Sequence, residues 1–315
     1  MRVWVLIVAV LLDGCLGEPR RWHPLVGFGK FAQYLEARLN RSRHGSSIGS
    51  DGFPLGHTLG ILAVLLTVGP PVLAVAALLR YRAIAPLMAV ALLYLVIGHR
   101  SLHEHADAVQ RALRDDDLAE ARRRVGAMVS RDTADMDSRH IAAATVESVL
   151  ENGNDALFGA LFWFLLGGAV GALTYRLINT LDAMWGYRTE RYRDFGWAAA
   201  RLDDLMNFLP ARLTALSYAT VGHAAAALRC WRHQAPAWDS PNAGPVMAAG
   251  AGALQIRLGG GAVYHGRWRS RSTLGEGRPA DAGDIARARY LVLRALLLWI
   301  GVTSLSGLIR RSFDA

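Results

Sequence analysis

Side chains able to bind metal ions and phosphate groups are concentrated in two stretches of this chain. The first runs from Ser130 to Asp155 and the second from Asn179 to Arg212, and both are rich in acids, amides and arginines. Between them, Ala156–Tyr175 carries no charged residue. Charged groups beside such an apolar segment are costly unless they bind something. The pattern therefore indicates an enzyme that works at a membrane surface.

Three carboxylates follow one another at four-residue intervals, at Glu147, Glu151 and Asp155. If Ile141–Asp155 is helical, they share one face, and like charges at this spacing oppose the helix by about 0.2–0.5 kcal/mol per pair. A bound Mg²⁺ would reverse that repulsion, because it takes carboxylate oxygens and keeps waters and substrate phosphates as its other ligands. We predict a metal site here; the alternative is a solvated acidic face paired with nearby arginines.

A second set of acids and amides lies further along the chain: Asn179, Asp182, Asp203, Asp204 and Asn207. Asp203 and Asn207 are predicted metal ligands, and Asn179 a phosphate ligand. Arg201 and Arg212 would neutralise phosphate or developing charge. For Asp182 and Asp203 taken singly, helix capping and salt bridging are equally good interpretations.

Two further stretches favour anion binding. Arg131, Asp132 and Thr133 precede a helical segment, where such residues form either ordinary N-caps or an anion site clamped by the arginine. Asp239–Gly266 is rich in glycine and proline, which predicts irregular backbone able to bring N–H groups close to an anion. The alternative there is a set of plain surface turns.

The composition places these groups in a membrane protein. The chain has 315 residues, of which 52% are hydrophobic and 19% charged, and its mean hydropathy is +0.21. These values predict an all-α, polytopic integral membrane protein with about 4–5 membrane helices and polar cytoplasmic loops. The candidate segments are Leu55–Leu79, Ala83–Gly98, Ala156–Tyr175, Tyr290–Ile309 and a weaker one, Leu205–Leu228. Without a linker or repeat, a single domain over 1–315 is expected.

The formal net charge is +9, and basic residues cluster in Arg111–Arg139 and Arg176–Arg201. This placement predicts cytoplasmic loops of an inner-membrane protein, attracted to anionic lipid headgroups. Nucleic-acid binding is not expected, because no reader motif accompanies the charge.

The two basic loops flank Ala156–Tyr175, so one straight crossing would put one of them outside. Gly167 and Gly168 lie in the middle of that segment, and each glycine weakens a helix by about 1 kcal/mol. We therefore expect the segment to turn back as a re-entrant hairpin or to be buried among other helices.

The motifs together resemble the CobD/CbiB family, the adenosylcobinamide-phosphate synthases of cobalamin biosynthesis. The resemblance covers most of the chain in family order, and it departs at Glu18-Pro19, where Asp-Pro is usual, and in lacking a proline after Asp155. The matching stretches are Gly17-Glu18-Pro19, His23-Pro24, Ser130-Arg131-Asp132-Thr133, Glu147, Glu151-Asn152, Asn179-Thr180-Leu181-Asp182, Gly186-Tyr187, Arg201-Leu202-Asp203-Asp204, Pro210-Ala211-Arg212, Ser240-Pro241-Asn242-Ala243-Gly244, Leu258-Gly259-Gly260 and Tyr264.

This resemblance implies amide formation between a propionate carboxyl of (adenosyl)cobyric acid and aminopropanol or its phosphate. Activation of the carboxyl implies ATP with Mg²⁺, through an acyl phosphate, and no tightly bound cofactor. No Walker-type sequence is present, so ATP would be held by an unfamiliar arrangement. The corrinoid, the amine, membrane lipid and other membrane enzymes of cobalamin assembly are the expected partners.

The residue types and spacings supply parts for this reaction. The expected catalytic residues are His23, Asp182, Arg201 and Asp204, and Asp182 and His23 are alternative candidates for the group that deprotonates the amine. The expected substrate and phosphate ligands are Arg131, Asp132, Thr133, Asn152, Asn179, Arg212, Ser240, Asn242, Gly259 and Gly260.

Two alternatives differ in class. A membrane prenyltransferase would use the D-D-x-x-N and N-x-x-D patterns to hold Mg²⁺-diphosphate, although this chain has only one partial motif of that kind. A non-catalytic membrane sensor or assembly protein, like the AmpE relatives of the family, would leave Glu151 and Asp204 dispensable.

Overall fold

The computed structural model describes residues 2–19, 23–40, 55–264 and 266–313, and helices dominate these ranges. The helices within them, α1 to α12 in chain order, are Arg2–Leu16, Pro24–Leu39, Leu55–Leu78, Ala85–Val96, His99–Arg114, Leu118–Gly126, Ser138–Gly153, Gly159–Trp185, Trp197–Val221, Ala224–Gln234, Ala243–Leu254 and Ala282–Phe313. A π-helical turn, Asn154–Phe158, separates α7 from α8. The predicted all-α class is confirmed.

The chain divides into two compact units, each assembled from two separate stretches of sequence. The first unit comprises Met1–Ile97 and Gly159–Asn207, and the second comprises Gly98–Phe158 and Phe208–Ala315. In the first unit α8 packs against α2, α3 and α4; in the second, α7 packs against α5, α11 and α12. Because distant stretches combine in each unit, no linker in the sequence marks the boundary.

Four helical segments of the described chain are long and apolar enough to cross a membrane, which confirms the polytopic class. They are Leu55–Leu78, Ala85–Arg114, Ser138–Trp185 and Ala282–Ile309. Apolar side chains such as Leu65 and Leu73 on α3 are 62% and 70% exposed, as expected of a lipid-facing helix. The weaker candidate Leu205–Leu228 is not among the four.

The third of these segments does not run straight, because the chain reverses direction within α8. Gly168 has φ 65° and ψ −157°, which breaks the helix into two arms. Gly171 lies against the carbonyl of Trp163, and Gly159 lies against the Tyr175 ring. Contacts between residues so far apart in sequence require the two arms to lie side by side. The predicted fold-back of Ala156–Tyr175 is thereby confirmed.

Replacing Gly168 by alanine is expected to lower the free energy of unfolding by about 1–3 kcal/mol, because its backbone region is essentially restricted to glycine. Gly167→Ala is the matched control, since its added Cβ would meet no atom within 4 Å. Thermal unfolding of both variants in detergent measures the difference. Equal midpoints for the two variants would contradict a strained turn at Gly168.

The segment Asp239–Gly266, predicted to be irregular, contains the 12-residue helix α11. All twelve residues of α11 are buried, and its small side chains allow close packing: a Cβ on Gly252 would come within 2.7 Å of the Ala226 carbonyl oxygen. The glycines there serve helix packing as well as turns, which composition alone did not distinguish.

Five short strands follow α11. They are β1 Ile256–Gly259, β2 Ala262–Tyr264, β3 Arg267–Arg269, β4 Thr273–Gly275 and β5 Arg278–Pro279. β1 is central, antiparallel to β4 and parallel to β5. β2 and β3 form a hairpin in which Val263 is opposite Trp268. This small β region places the loops that line the candidate site.

Candidate functional site

A polar cavity of about 320 Å³ lies in the second unit. Its walls come from the loop before α7, from α7 itself, from the loop before α11 and from the segment between β3 and β4. The side chains that line it and can bind ligand polar groups are Ser130, Arg131, Glu147, Ser148, Glu151, Asn152, Asp239, Tyr264, Ser270, Arg271 and Ser272. Sequence stretches more than 100 residues apart therefore meet at one concave surface.

Glu147 is the most buried charged residue of this cavity. Its side chain is 2% exposed, and those of its two arginine partners, Arg131 and Arg271, are 12% and 13% exposed. Arg131 pairs with Oε2, and Arg271 donates Nη1 to the same oxygen at 3.1 Å. The Gly259 N–H donates to Oε1 at 2.7 Å. Two cations share one carboxylate here, so the cluster carries a net charge of +1.

The cluster fixes the direction of both arginines. The charge of Glu147 raises the pKa of Arg131 against the opposing effect of burial, so its guanidinium stays protonated. Arg271 also donates Nε to the Gly260 carbonyl at 3.1 Å and lies over the Trp238 ring, 5.2 Å from its centroid. Gly259 and Gly260 both have φ +80°, a conformation that glycine adopts without strain. With its net positive charge and fixed donors, the arrangement is suited to bind an anion.

Arg271 was not among the residues predicted from sequence. It belongs to the run Arg267–Arg271, in a chain where lysine and arginine number 35. One arginine in such a background carries no signal of its own. The sequence feature that could have pointed to Arg271 is the glycine run 259–261. A carboxylate or other anion bound at such a run needs a cation nearby, and Arg271 is a nearby cation.

Several predicted ligands of the second unit make backbone contacts. Asp132 donates its N–H to the Val263 carbonyl at 2.9 Å, and its carboxylate accepts from the Gly266 N–H at 2.7 Å, so it ties its loop to the β2–β3 hairpin. Asn152 donates to the Ser148 carbonyl at 2.9 Å. Thr133 packs beside Gly126. Of these three, Asn152 lines the polar cavity.

The start of α11 uses two more of the predicted ligands. Ser240 Oγ accepts from the backbone N–H of Ala243 at 3.1 Å, which caps the helix. Asn242 Oδ1 accepts from Arg212 Nη1 at 3.1 Å. Arg212 also donates to the Phe208 carbonyl at 2.7 Å and lies 3.5 Å above the Phe208 ring centroid.

The expected row of three carboxylates on one helical face is interrupted. α7 ends at Gly153, and the π-helical turn that follows contains Asp155. Glu147 and Glu151 line the polar cavity, and Asp155 is not among its lining residues. Asp155 instead accepts from the Asn154 side chain at 2.8 Å. Asp155 therefore has a different setting from Glu147 and Glu151, and the metal site predicted on this row stays a prediction.

A second polar network lies in the first unit and is centred on Asp203. Its two carboxylate oxygens accept from the side-chain amides of Asn179 at 3.1 Å and Asn207 at 3.0 Å. Asn207 in turn accepts from the Tyr175 hydroxyl at 2.9 Å. Burial raises the pKa of Asp203 to about 6. Among the described residues no cation pairs with it, so it is suited to exchange a proton near neutral pH.

The raised pKa predicts how Asp203 affects stability. The folded state binds this proton more tightly than the unfolded state, so the contribution to stability is fully present at low pH and is lost as pH rises through about 6. Asp203→Asn is expected to remove the loss of stability that accompanies the rise in pH, because asparagine does not titrate. Thermal unfolding of both proteins between pH 4.5 and 7 measures the change in slope; parallel curves would show that Asp203 does not titrate there.

The other predicted catalytic residues lie in the first unit in different settings. Asp204 and Arg201 form a partly exposed pair, 3.6 Å apart, and burial raises the pKa of Asp204. Asp182 accepts the Gly186 N–H at its backbone carbonyl, 2.7 Å away. His23 Nδ1 accepts from the Leu25 N–H at 3.2 Å and caps α2. Burial lowers its pKa, which keeps this acceptor nitrogen unprotonated.

The donor set of the polar cavity can be compared with what Mg²⁺ and ATP require. No group of three or more His, Cys, Asp or Glu side chains converges within the described part of the chain. Two arginines, four serines, one asparagine and backbone N–H groups suit phosphate oxygens. Magnesium commonly takes only one or two protein carboxylates and completes its shell with phosphates and water. Glu151 and Asp239 would be those carboxylates, so the residues fit a metal brought by phosphate.

Comparisons with known proteins identify the family of this chain. The family model described as "CobD/Cbib protein" matches residues 6–292. A protein of Chromobacterium violaceum, named "Cobalamin biosynthesis protein CobD", is 55% identical over 94% of each chain. Proteins of the same name are 52% identical in Stutzerimonas stutzeri, over 98% of this chain and 99% of the relative, and 39% identical in Mycobacterium tuberculosis, over 90% and 89%. No solved structure matches significantly. The chain belongs to the CobD/CbiB family.

Proposed function

We propose that this chain is an enzyme of cobalamin biosynthesis that joins a propionate carboxyl of (adenosyl)cobyric acid to aminopropanol or its phosphate. The product is cobinamide or its phosphate, linked through a new amide bond. The family match over residues 6–292 and the names of the relatives support the pathway. The single structural observation that supports the chemistry is the Arg131–Glu147–Arg271 cluster in the polar cavity.

The reaction requires an activated carboxyl group, because a carboxylate and an amine do not condense at neutral pH. ATP would supply that activation by transferring its γ-phosphoryl group to the carboxylate with release of ADP. The amine would then attack the acyl carbon, phosphate would leave, and the nitrogen would lose a proton. Arg131 and Arg271 would bind the phosphate oxygens and neutralise their charge. Magnesium held by Glu151 and Asp239 would supply further charge neutralisation.

Glu147 has a different role in this proposal from the one its spacing indicated. Both arginines and the Gly259 N–H take up its oxygens, so it orients the phosphate-binding groups and does not itself bind metal. Glu151 and Asp239 remain the proposed metal carboxylates. Asp203 is a proposed proton acceptor in the first unit, because its raised pKa lies near 6.

The cell membrane is the proposed location, with the polar loops on the cytoplasmic side, where ATP is available. The four apolar segments support the membrane part of this proposal. Membrane lipid and other membrane-bound enzymes of cobalamin assembly are the proposed partners. Nothing in the second unit resembles a nucleic-acid reader motif.

Complementation tests the function directly. A cobalamin auxotroph lacking this step is transformed with the chain and grown on cobyric acid, and wild type is expected to restore growth. Purified membranes supplied with cobyric acid, ATP and either amine should form the amide, detected by its mass. Failure of the wild type in both assays would refute the ligase. Restored growth with Glu151→Ala or Asp204→Ala at wild-type rates would instead favour the non-catalytic alternative.

A further inference from the structure

A second cavity of about 410 Å³ lies in the same unit, next to the polar cavity. It is formed by the end of α10, the 3₁₀ turn Ala235–Ala237 and the loop that leads into α11. It is less polar than the first cavity, because five of its nine lining residues are tryptophans or prolines: Trp231, Trp238, Pro236, Pro241 and Pro245. Ligand sites of small molecules have volumes of about 300–1,000 Å³, so each cavity is large enough to accept part of a ligand.

Two residues belong to both cavities. Trp238 and Asp239 line the polar cavity and also the second one. Trp238 has the Arg271 guanidinium over its ring at 5.2 Å, so the anion-binding cluster and the aromatic surface meet at this one side chain. A single ligand can therefore contact both cavities around Trp238.

Positive charge also enters the second cavity. Arg212 and Arg232 line it, and Arg212 is held by neutral acceptors: the Phe208 carbonyl at 2.7 Å, Asn242 Oδ1 at 3.1 Å and the Pro241 carbonyl at 3.3 Å. No carboxylate of the described chain lies within 4 Å of its guanidinium, so its charge is not compensated by an ion pair. Planar rings beside fixed guanidinium groups suit a planar, electron-rich heterocycle attached to an anion.

We propose that the two cavities together form a nucleoside triphosphate site, with the base stacked against Trp231 and Trp238 and the phosphates at Arg131 and Arg271. This rests on the proposed function, which needs ATP, and it explains how a chain without a Walker-type sequence holds it. Tryptophan and arginine side chains here take the place of a glycine-rich phosphate loop, because the base supplies stacking energy and the phosphates meet preformed guanidinium groups.

Binding measurements separate the two halves of the site. The full-length protein is purified in detergent, and its affinities for radiolabelled ATP and for inorganic tripolyphosphate are measured by equilibrium dialysis. Trp231→Leu is expected to weaken ATP binding about 10-fold or more, since stacking contributes about 1–3 kcal/mol per base, and to leave tripolyphosphate binding unchanged. Arg271→Gln is expected to weaken the binding of both ATP and tripolyphosphate.

Three further variants make the test specific. Trp231→Phe keeps an aromatic face and should retain most of the ATP affinity, while Trp231→Met keeps the volume without a ring and should behave as the leucine variant does. Trp4→Leu is the matched control: Trp4 is 43% exposed, lines neither cavity, and should not affect binding. Adenosine should compete with ATP only in proteins that retain an aromatic residue at 231.

The outcomes distinguish this inference from the proposed function. Two results would overturn the assignment of the base to the second cavity. One is an equal ATP affinity in wild type and Trp231→Leu. The other is a loss of tripolyphosphate affinity in Trp231→Leu as large as its loss of ATP affinity. Complementation by the wild type on cobyric acid would then still support the ligase. Absence of ATP binding to a folded wild type that also fails complementation would overturn both.

Discussion

Replacing Glu147 by glutamine is expected to lower the free energy of unfolding by about 3–5 kcal/mol and to abolish growth on cobyric acid. Its carboxylate is 2% exposed and balances two guanidinium groups that are themselves largely buried. Glutamine keeps the shape but removes the charge, which leaves two buried cations close together. Thermal unfolding in detergent measures the first effect and complementation the second.

Glu276→Gln is the matched control for this variant. Glu276 also pairs with an arginine of the second unit, Arg229, but their side chains are 39% and 54% exposed. Exposed ion pairs contribute about 0–1 kcal/mol, so its stability and growth should stay near those of wild type. Similar unfolding midpoints for the two variants would show that Glu147 is not the buried balancing charge that the structure describes.

Replacing Arg271 by glutamine is expected to lower the rate of amide formation by about 10²-fold or more, because removal of one preorganised donor from a developing anion has effects of that size. The loss should appear in the dependence on ATP concentration as well as in the maximal rate. Arg271→Lys keeps a charge but loses the planar fork that contacts Glu147 and Gly260 together, and should restore only a small part of the activity.

Arg269→Gln provides the comparison for Arg271. It lies two residues away on β3, where all three residues are exposed, and its guanidinium lies 6.0 Å from the Tyr264 ring centroid. Its removal subtracts the same formal charge from the same short segment. If both variants lost activity equally, a general effect of positive charge would replace the specific role proposed for Arg271.

Much of the fold could be predicted from hydropathy. Apolar segments such as Leu55–Leu79 and Tyr290–Ile309 matched helices of the structure within a few residues or lay inside them, because the length of a membrane crossing is set by the bilayer. The reversal at Gly168 could be expected too, since paired glycines weaken a helix locally. The boundaries of the two units could not be predicted from the sequence, because each unit combines stretches that are distant in sequence.

The candidate site was predictable only in part. Arg131, Glu147, Glu151 and Asn152 line one cavity, as their shared stretch indicated. Asp155 lies in a π-helical turn and is not among the residues that line this cavity, and no periodicity argument anticipates such a turn. Asp203 joins Asn179 and Asn207 as expected, yet as a hydrogen-bonded carboxyl group with a raised pKa. The hydrogen-bonding partners of Asp203 are amides and not cations. Sequence spacing alone did not decide between these two kinds of partner.

The sequence by itself determined that this chain crosses or enters a membrane and that it carries acids, amides and arginines beside an apolar segment. Those properties depend on residue type and local spacing. Only the tertiary structure decided which groups neutralise one another: Glu147 is paired with Arg131, 16 residues away, and with Arg271, 124 residues away. A buried carboxylate takes whatever cations the fold brings within hydrogen-bonding distance. Its pairing with both arginines therefore depends on the packing of α7 against the strands that follow α11.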